Sequence, residues 1–281
     1  MSLSLNEKFV FVASVVIAFV VGIILSVMLI GFGMVIDSHT TYDEPMLKSF
    51  LPNDDLPSHT ELTQSLKEVV NESNGRFGLN MWATVVDRDG IVQTVTFTGD
   101  NRGDQWPGSR VISAQKANTA NAFSLPELAL STSNLFYAVQ PGGSLFGLQE
   151  SNPVNTDVAY GGESSDYGTP DDFMVGKKIG GINVFGGGLP LYDSEGILIG
   201  AIGVSGDSSC ADHIISWKLR DVLDLDYIPG GISPTGDDNI VFDIAPDSNG
   251  HQKSTSGWGH PLCAESALSI AEELPTTHPV G

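Results

Sequence analysis

Residues 180–207, GGINVFGGGLPLYDSEGILIGAIGVSGD, decide how this chain folds. Two apolar runs, Leu189–Tyr192 and Ile197–Val204, flank Asp193-Ser194-Glu195-Gly196. A type I turn closed by a glycine at positive φ lets the backbone double back there, so the stretch predicts a β-hairpin. In the second run Ile197, Ile199 and Ala201 alternate with Leu198, Ile202 and Val204, so both faces are apolar. A strand of that kind belongs inside a sheet and not at its rim. Gly200, Gly203 and Gly206 interrupt it, and glycine weakens a strand unless a backbone, a helix or a ligand comes close. Some element is therefore expected to pack against those glycines.

Working outward, the same turn chemistry recurs at Asp87-Arg88-Asp89-Gly90, between the strand-like stretches Leu79–Val86 and Ile91–Thr98. Ser109 is placed to cap a helix carrying Ala114, Ala117, Ala120 and Ala122, whose small side chains suit it to lie over the glycine-bearing strand. Alanine is also the best helix former, which explains the same residues without any close approach. Ser58 and Glu61 have capping-box spacing, and Leu62, Leu66, Val69 and Val70 then follow on one helical face. Ser124 and Glu127 repeat that spacing around Pro126 and predict a helix running to about Tyr137. Ser208–Leu223 is a further amphipathic stretch, and Glu265–Glu273 a short helix in an otherwise loop-like, acidic tail. Residues 140–178 read as one long loop, a length that points to function or an interface. The order helix, hairpin, helix, helix, hairpin, helix predicts an α+β fold, an antiparallel sheet flanked by helices.

The expected organisation is a membrane anchor at 1–36, a linker at 37–57, a domain at 58–223 and an extension at 224–281. From Phe9 to Ile36 there is no charged residue. At about 1.5 Å per residue this stretch exceeds the roughly 30 Å hydrocarbon core of a bilayer. It reads as one transmembrane helix, or as an export signal cut near Gly31-Phe32-Gly33. Lys8 precedes it, whereas Asp37, Asp43 and Glu44 follow it, which puts the amino terminus inside and the domain outside the cell. The formal charge of −21, from 34 acidic and 13 basic residues, argues against nucleic acid as a partner.

Four segments, in this order, are similar to the GlcG/HbpS family: Val85-Val86-Asp87-Arg88-Asp89-Gly90, Ser113-Ala114-Gln115-Lys116-Ala117-Asn118-Thr119-Ala120, Gly187-Gly188-Leu189-Pro190-Leu191 and Gly200-Ala201-Ile202-Gly203-Val204-Ser205-Gly206. The resemblance spans about Ser58 to Leu223. It implies a profilin- or PAS-like α+β domain that forms homo-oligomers and, in several members, binds haem, with haem degradation described for some. It also leaves room for an accessory role beside other membrane or redox subunits. The anchor, the 140–178 loop and the tail lie outside the basic family unit.

The chain has two cysteines, in the mirrored spacings Cys210-x-x-His213 and His260-x-x-Cys263. Three readings compete. In an exported domain Cys210 and Cys263 form a disulfide. Alternatively, both pairs hold a tetrahedral zinc ion. In the third, the disulfide brings His213 and His260 together, and one of them ligates haem iron through a neutral imidazole. Two histidines packed at a tail interface are the plain counterpart of that last reading. Lys116 is a candidate partner for a haem propionate or another anion, or else a lysine whose head simply reaches water. Trp106, Phe136, Phe146 and Trp258 could line a flat cofactor or serve as core. C-x-x-C-H, a Walker loop, G-x-S-x-G and EF-hand spacing are all missing, and no nucleophile is seen with its base. The sequence thus carries three functions: a haem-binding module, a haem-degrading enzyme, and a cofactor-free oligomerisation subunit.

Overall fold

The computed structural model describes residues 56–281. The apolar stretch Phe9–Ile36 and nearly all of the linker fall outside the described residues. Among the described residues no helix is long and apolar enough to cross a membrane.

The chain enters through helix α1 (His59–Val70), with Ser58 Oγ accepting from Glu61 N at 3.3 Å as the capping spacing predicts. Strands β1 (Trp82–Asp87) and β2 (Val92–Phe97) follow, then α2 (Ser109–Phe123), the one-turn helices α3 (Leu148–Ser151) and α4 (Thr156–Ala159), and strands β3 (Gly188–Tyr192) and β4 (Leu198–Ser205). Helix α5 (Ser209–Val222), a ribbon of β5 (Ile244–Pro246) and β6 (Gln252–Ser254), and α6 (Glu265–Thr277) complete the chain. Strand order is β2-β1-β4-β3, antiparallel throughout, so β4 lies inside the sheet as its two apolar faces require. The two hairpin turns are built alike. Asp87 Oδ1 accepts from Asp89 N and Ile91 N, Asp193 Oδ1 accepts from Glu195 N and Ile197 N, and Gly90 and Gly196 both take φ +74°.

One face of the sheet buries Met81, Ala83, Val85, Ile202 and Val204 against α1, α5 and α6. The other presents Trp82, Val86, Ala201 and Gly203 to α2. A Cβ on Gly203 would collide with the carbonyl oxygen of Ser113 and the amide nitrogen of Ala117, so the strand glycine and the helix alanines form one close seam. Ala122 lies outside that seam, exposed.

Two helix boundaries differ from the sequence expectation. Gly108 precedes α2 and Ser109 is its first, buried residue, whose Oγ accepts from Ser205 Oγ across the seam instead of capping. No helix starts at Ser124. Its Oγ accepts from Leu130 N at 3.1 Å and closes a small loop, so it does not cap Glu127; only 3₁₀ turns at Thr132–Leu135 and Tyr137–Val139 follow. The 140–178 segment is largely irregular, as expected, but it is tightly held. Arg110 and Asp172 form a buried bidentate pair, Asp172 also accepts from Gly168 N and Met174 N, and Met174 and Ala159 enter the core beneath. The tail is more ordered than its composition suggests, since Ala267, Ala271 and Leu274 of α6 pack into the same core as α1 and α5. Pro275 sits inside α6 and cannot donate to Ala271 O. Asn239 Nδ2 takes that carbonyl instead at 2.8 Å.

Candidate functional site

Residues singled out in the sequence converge where β4 ends and α5 begins. Ser208 caps α5, accepting from Ala211 N, which turns Cys210 inward in the first turn. The tail passes this end of the helix, and Cys210 and Cys263 are joined in a disulfide with Cα atoms 6.0 Å apart. The disulfide reading therefore holds over a zinc site using both thiolates in this state.

His260 is buried beside it. Its Nδ1 lies 2.8 Å from Pro261 O, and a carbonyl only accepts, so Nδ1 carries the proton. Nε2 therefore holds the lone pair and accepts from Ser209 Oγ at 3.1 Å, while the ring packs 5.0 Å from that of Phe136. Burial pushes this imidazole down to about 4. His213, one turn along α5, is fully buried, and burial followed by the charge of Arg220 pushes it down to about 3. Its Nε2 lies 3.2 Å from Asn239 Oδ1, an oxygen that already accepts from Ile240 N at 2.8 Å. With the proton on Nε2 the ring's own donor is satisfied, and its Nδ1 lone pair is left buried without a partner.

Lys116 comes through the small-residue seam from α2. Its Nζ donates to Asp212 Oδ2 at 2.7 Å and to Val204 O at 2.9 Å, and Asp212 Oδ1 accepts from Asp207 N. Desolvation dominates both partners, lowering Lys116 and raising Asp212 to about 6 despite their mutual attraction. The structure therefore brings Cys210, Cys263 and His260 together, with Lys116 and His213 nearby but each committed to its own partner. Of the four aromatic candidates, Phe136 packs on His260 and Trp258 is partly buried near it, whereas Trp106 and Phe146 are exposed.

A second place went unread in the sequence. His59 lines a cleft of about 260 Å³ together with Pro57, Gln93, Thr94, Thr169 and Val175. Its Nε2 lies 2.9 Å from Gly168 O and so carries the proton, leaving the Nδ1 lone pair. The cleft joins the start of α1, the rim strand β2 and the loop at 169–175, segments far apart in the chain. The sequence hint was a histidine one residue past a helix cap.

An antiparallel sheet with helices on both faces, and a glycine-notched inner strand against an alanine helix, define an α+β class of domain. Residues 58–218 match the family described as haem degrading protein HbpS-like, and the chain belongs to that family. No curated protein matches it. Similar solved structures include Klebsiella pneumoniae protein ORFY, of family DUF336, at 25% identity over 62% of this chain and 97% of that one, with a TM-score of 0.39. A PduOC–haem complex is 24% identical over 61% of this chain and 94% of its own, with a TM-score of 0.41. A doubly substituted Streptomyces reticuli HbpS is 20% identical over 62% and 94%, with a TM-score of 0.37.

Proposed function

We propose that this chain is a membrane-anchored, extracytoplasmic HbpS-like module that binds haem or a similar planar ligand non-covalently, as a homo-oligomer and an accessory to a redox assembly. The observation that carries this reading is the match of residues 58–218 to a family described by haem chemistry. The charge-free stretch Phe9–Ile36 supports the anchor. The disulfide supports an oxidising compartment.

Haem would supply an iron centre open to axial ligation and electron transfer. For the axial ligand we favour His59. Its Nε2 is fixed as donor by Gly168 O, which presents Nδ1 with a lone pair, and the residue borders a cleft. What weighs against His213 is complete burial, since a macrocycle could reach its Nδ1 only by opening the core. His260 has both ring nitrogens engaged, and Lys116 is held by Asp212 away from any propionate. At about 260 Å³ the cleft falls short of the roughly 300–1,000 Å³ of ordinary ligand pockets, so a second copy closing over the ligand fits it better than a lone chain.

The family description also favours a second reading, oxidative haem degradation. An absorption spectrum of the membrane-extracted protein titrated with haem separates these. A saturable Soret band stable to reductant and air supports the binding module. A band lost under reductant and oxygen with release of iron supports the enzyme. The absence of any band leaves the cofactor-free subunit.

A further inference from the structure

Among the described residues, Cys210, His260 and Cys263 present ligand atoms that all lie within 4.8 Å of one another, and His213 is not in the cluster. We propose that reduction of the Cys210–Cys263 disulfide uncovers a site for a zinc-class divalent metal, built by the two sulfurs and His260 Nε2. The oxidised chain holds these three groups ready around one point, and the bond between the sulfurs is what keeps a metal out.

Three features point to a ligand set and not merely to a packed disulfide. First, a metal-binding histidine as a rule donates its other ring N–H to a carbonyl or carboxylate, which fixes the tautomer and the ring orientation. His260 Nδ1 does this toward Pro261 O at 2.8 Å. Second, Ser209 Oγ is 3.1 Å from Nε2 and 3.7 Å from Cys263 Sγ, so one hydroxyl is a neighbour shared by the imidazole and the sulfur. Third, Cys210 N donates to Cys263 Sγ at 3.3 Å from the first turn of α5, where backbone donors and the helix dipole stabilise thiolates. Zinc bonds of about 2.0–2.3 Å put tetrahedral ligand atoms roughly 3.3–3.8 Å apart, so atoms that already lie within 4.8 Å of one another reach that spacing by short shifts once the bond between the sulfurs is cut. Two sulfurs and one nitrogen leave a fourth position for water.

Access is one-sided, because Cys210 is buried and Cys263 is half-exposed. A thiolate of a dithiol reductant attacks Cys263 Sγ, the S–S bond breaks, and the electron pair leaves on Cys210 Sγ. The reductant's second thiol resolves the mixed disulfide and departs oxidised, and the protein has gained two electrons and two protons. Zinc then displaces the two thiol protons. The site is thus a redox-gated one, closed by oxidation and opened by thiols.

The test titrates full-length protein, oxidised or reduced with a non-chelating phosphine, with zinc and with cobalt as a spectroscopic stand-in. We expect no uptake by the oxidised chain. The reduced chain should take one metal, with thiolate-to-cobalt charge transfer and the intense visible bands of tetrahedral cobalt. His260→Gln and Cys263→Ser should each lose the site, and the exposed His251→Ala should keep it. Equal uptake by the oxidised chain overturns the proposal. So does a reduced wild-type chain that takes up no metal, folded or not, and so does a reduced His260→Gln chain that binds as wild type. If the variants fail to fold, the cobalt spectrum of the reduced wild type still decides, because a spectrum without thiolate charge transfer overturns the site.

Discussion

His260 and His59 are the same side chain in opposite circumstances. His260 is walled in, one nitrogen donating to Pro261 O and the other accepting from Ser209, and burial keeps it neutral. His59 lies half-buried at a cleft, where one carbonyl fixes its tautomer and the second nitrogen has a lone pair to offer. A histidine is a ligand when one nitrogen is oriented and the other is both unprotonated and reachable. Of these two, His59 is the one that borders a cleft with one ring nitrogen fixed by a carbonyl and the other not engaged. The interior one would become a ligand with the disulfide opened and the Ser209 hydroxyl turned away from Nε2.

The contrast assumes a rigid interior, and the harshest way to break it is at the seam that carries Lys116 into the core. Gly203→Val would drive a branched side chain into the backbone of α2, which no rotamer change can relieve. We expect no cooperative unfolding transition by urea titration, whereas a folded variant of near wild-type stability would refute the close seam. Next in size is the disulfide, which spans a sequence separation of 53. Replacing both cysteines by alanine should cost about 2–5 kcal/mol in urea midpoint analysis while leaving haem binding at the surface cleft intact.

Acid sharpens the comparison further. The unfolded chain protonates its histidines near pH 6.5, but His260 and His213 resist until about 4 and about 3 in the folded state. Between those values the unfolded state binds more protons, so stability is fully present above about pH 6.5 and falls as pH is lowered. Asp212 acts in the opposite sense, since its folded carboxyl protonates near 6 and gains stability as pH drops below that. With two imidazoles against one carboxylate, the net expectation is a loss on the order of a few kcal/mol by pH 4. A urea midpoint unchanged between pH 7 and pH 4 would show that the interior histidines are not held neutral. The smallest effect on stability belongs to His59→Ala, less than about 1 kcal/mol, because the residue is half-buried and gives up one hydrogen bond.

Much of this was legible in the sequence where the signal is local. The D-x-acid-G turns announce both hairpins, because an aspartate accepting two backbone N–H groups and a glycine at positive φ are contained within a few residues. The doubly apolar β4 and its pairing with an alanine helix could be read because glycine spacing implies a close neighbour. Ser124 was misread because a serine oxygen has several backbone partners within reach, and Leu130 N won over the helix. With only two cysteines the disulfide was one of the readings the sequence offered, beside a zinc site, and the structure has the disulfide. The commitments of Lys116 to Asp212 and of His213 to Asn239 were not readable, for they depend on which helix face meets which strand end. The His59 cleft was hidden for the same reason, its walls coming from residues 56–59, 93–95 and 169–175.

The most direct measurement is haem titration of wild-type protein beside His59→Ala, His213→Ala and His260→Ala, read in the Soret region. A saturable band in wild type that shifts or weakens only in His59→Ala is the predicted result. A wild-type band unchanged in His59→Ala but altered in His213→Ala or His260→Ala would move the ligand into the interior and contradict the account.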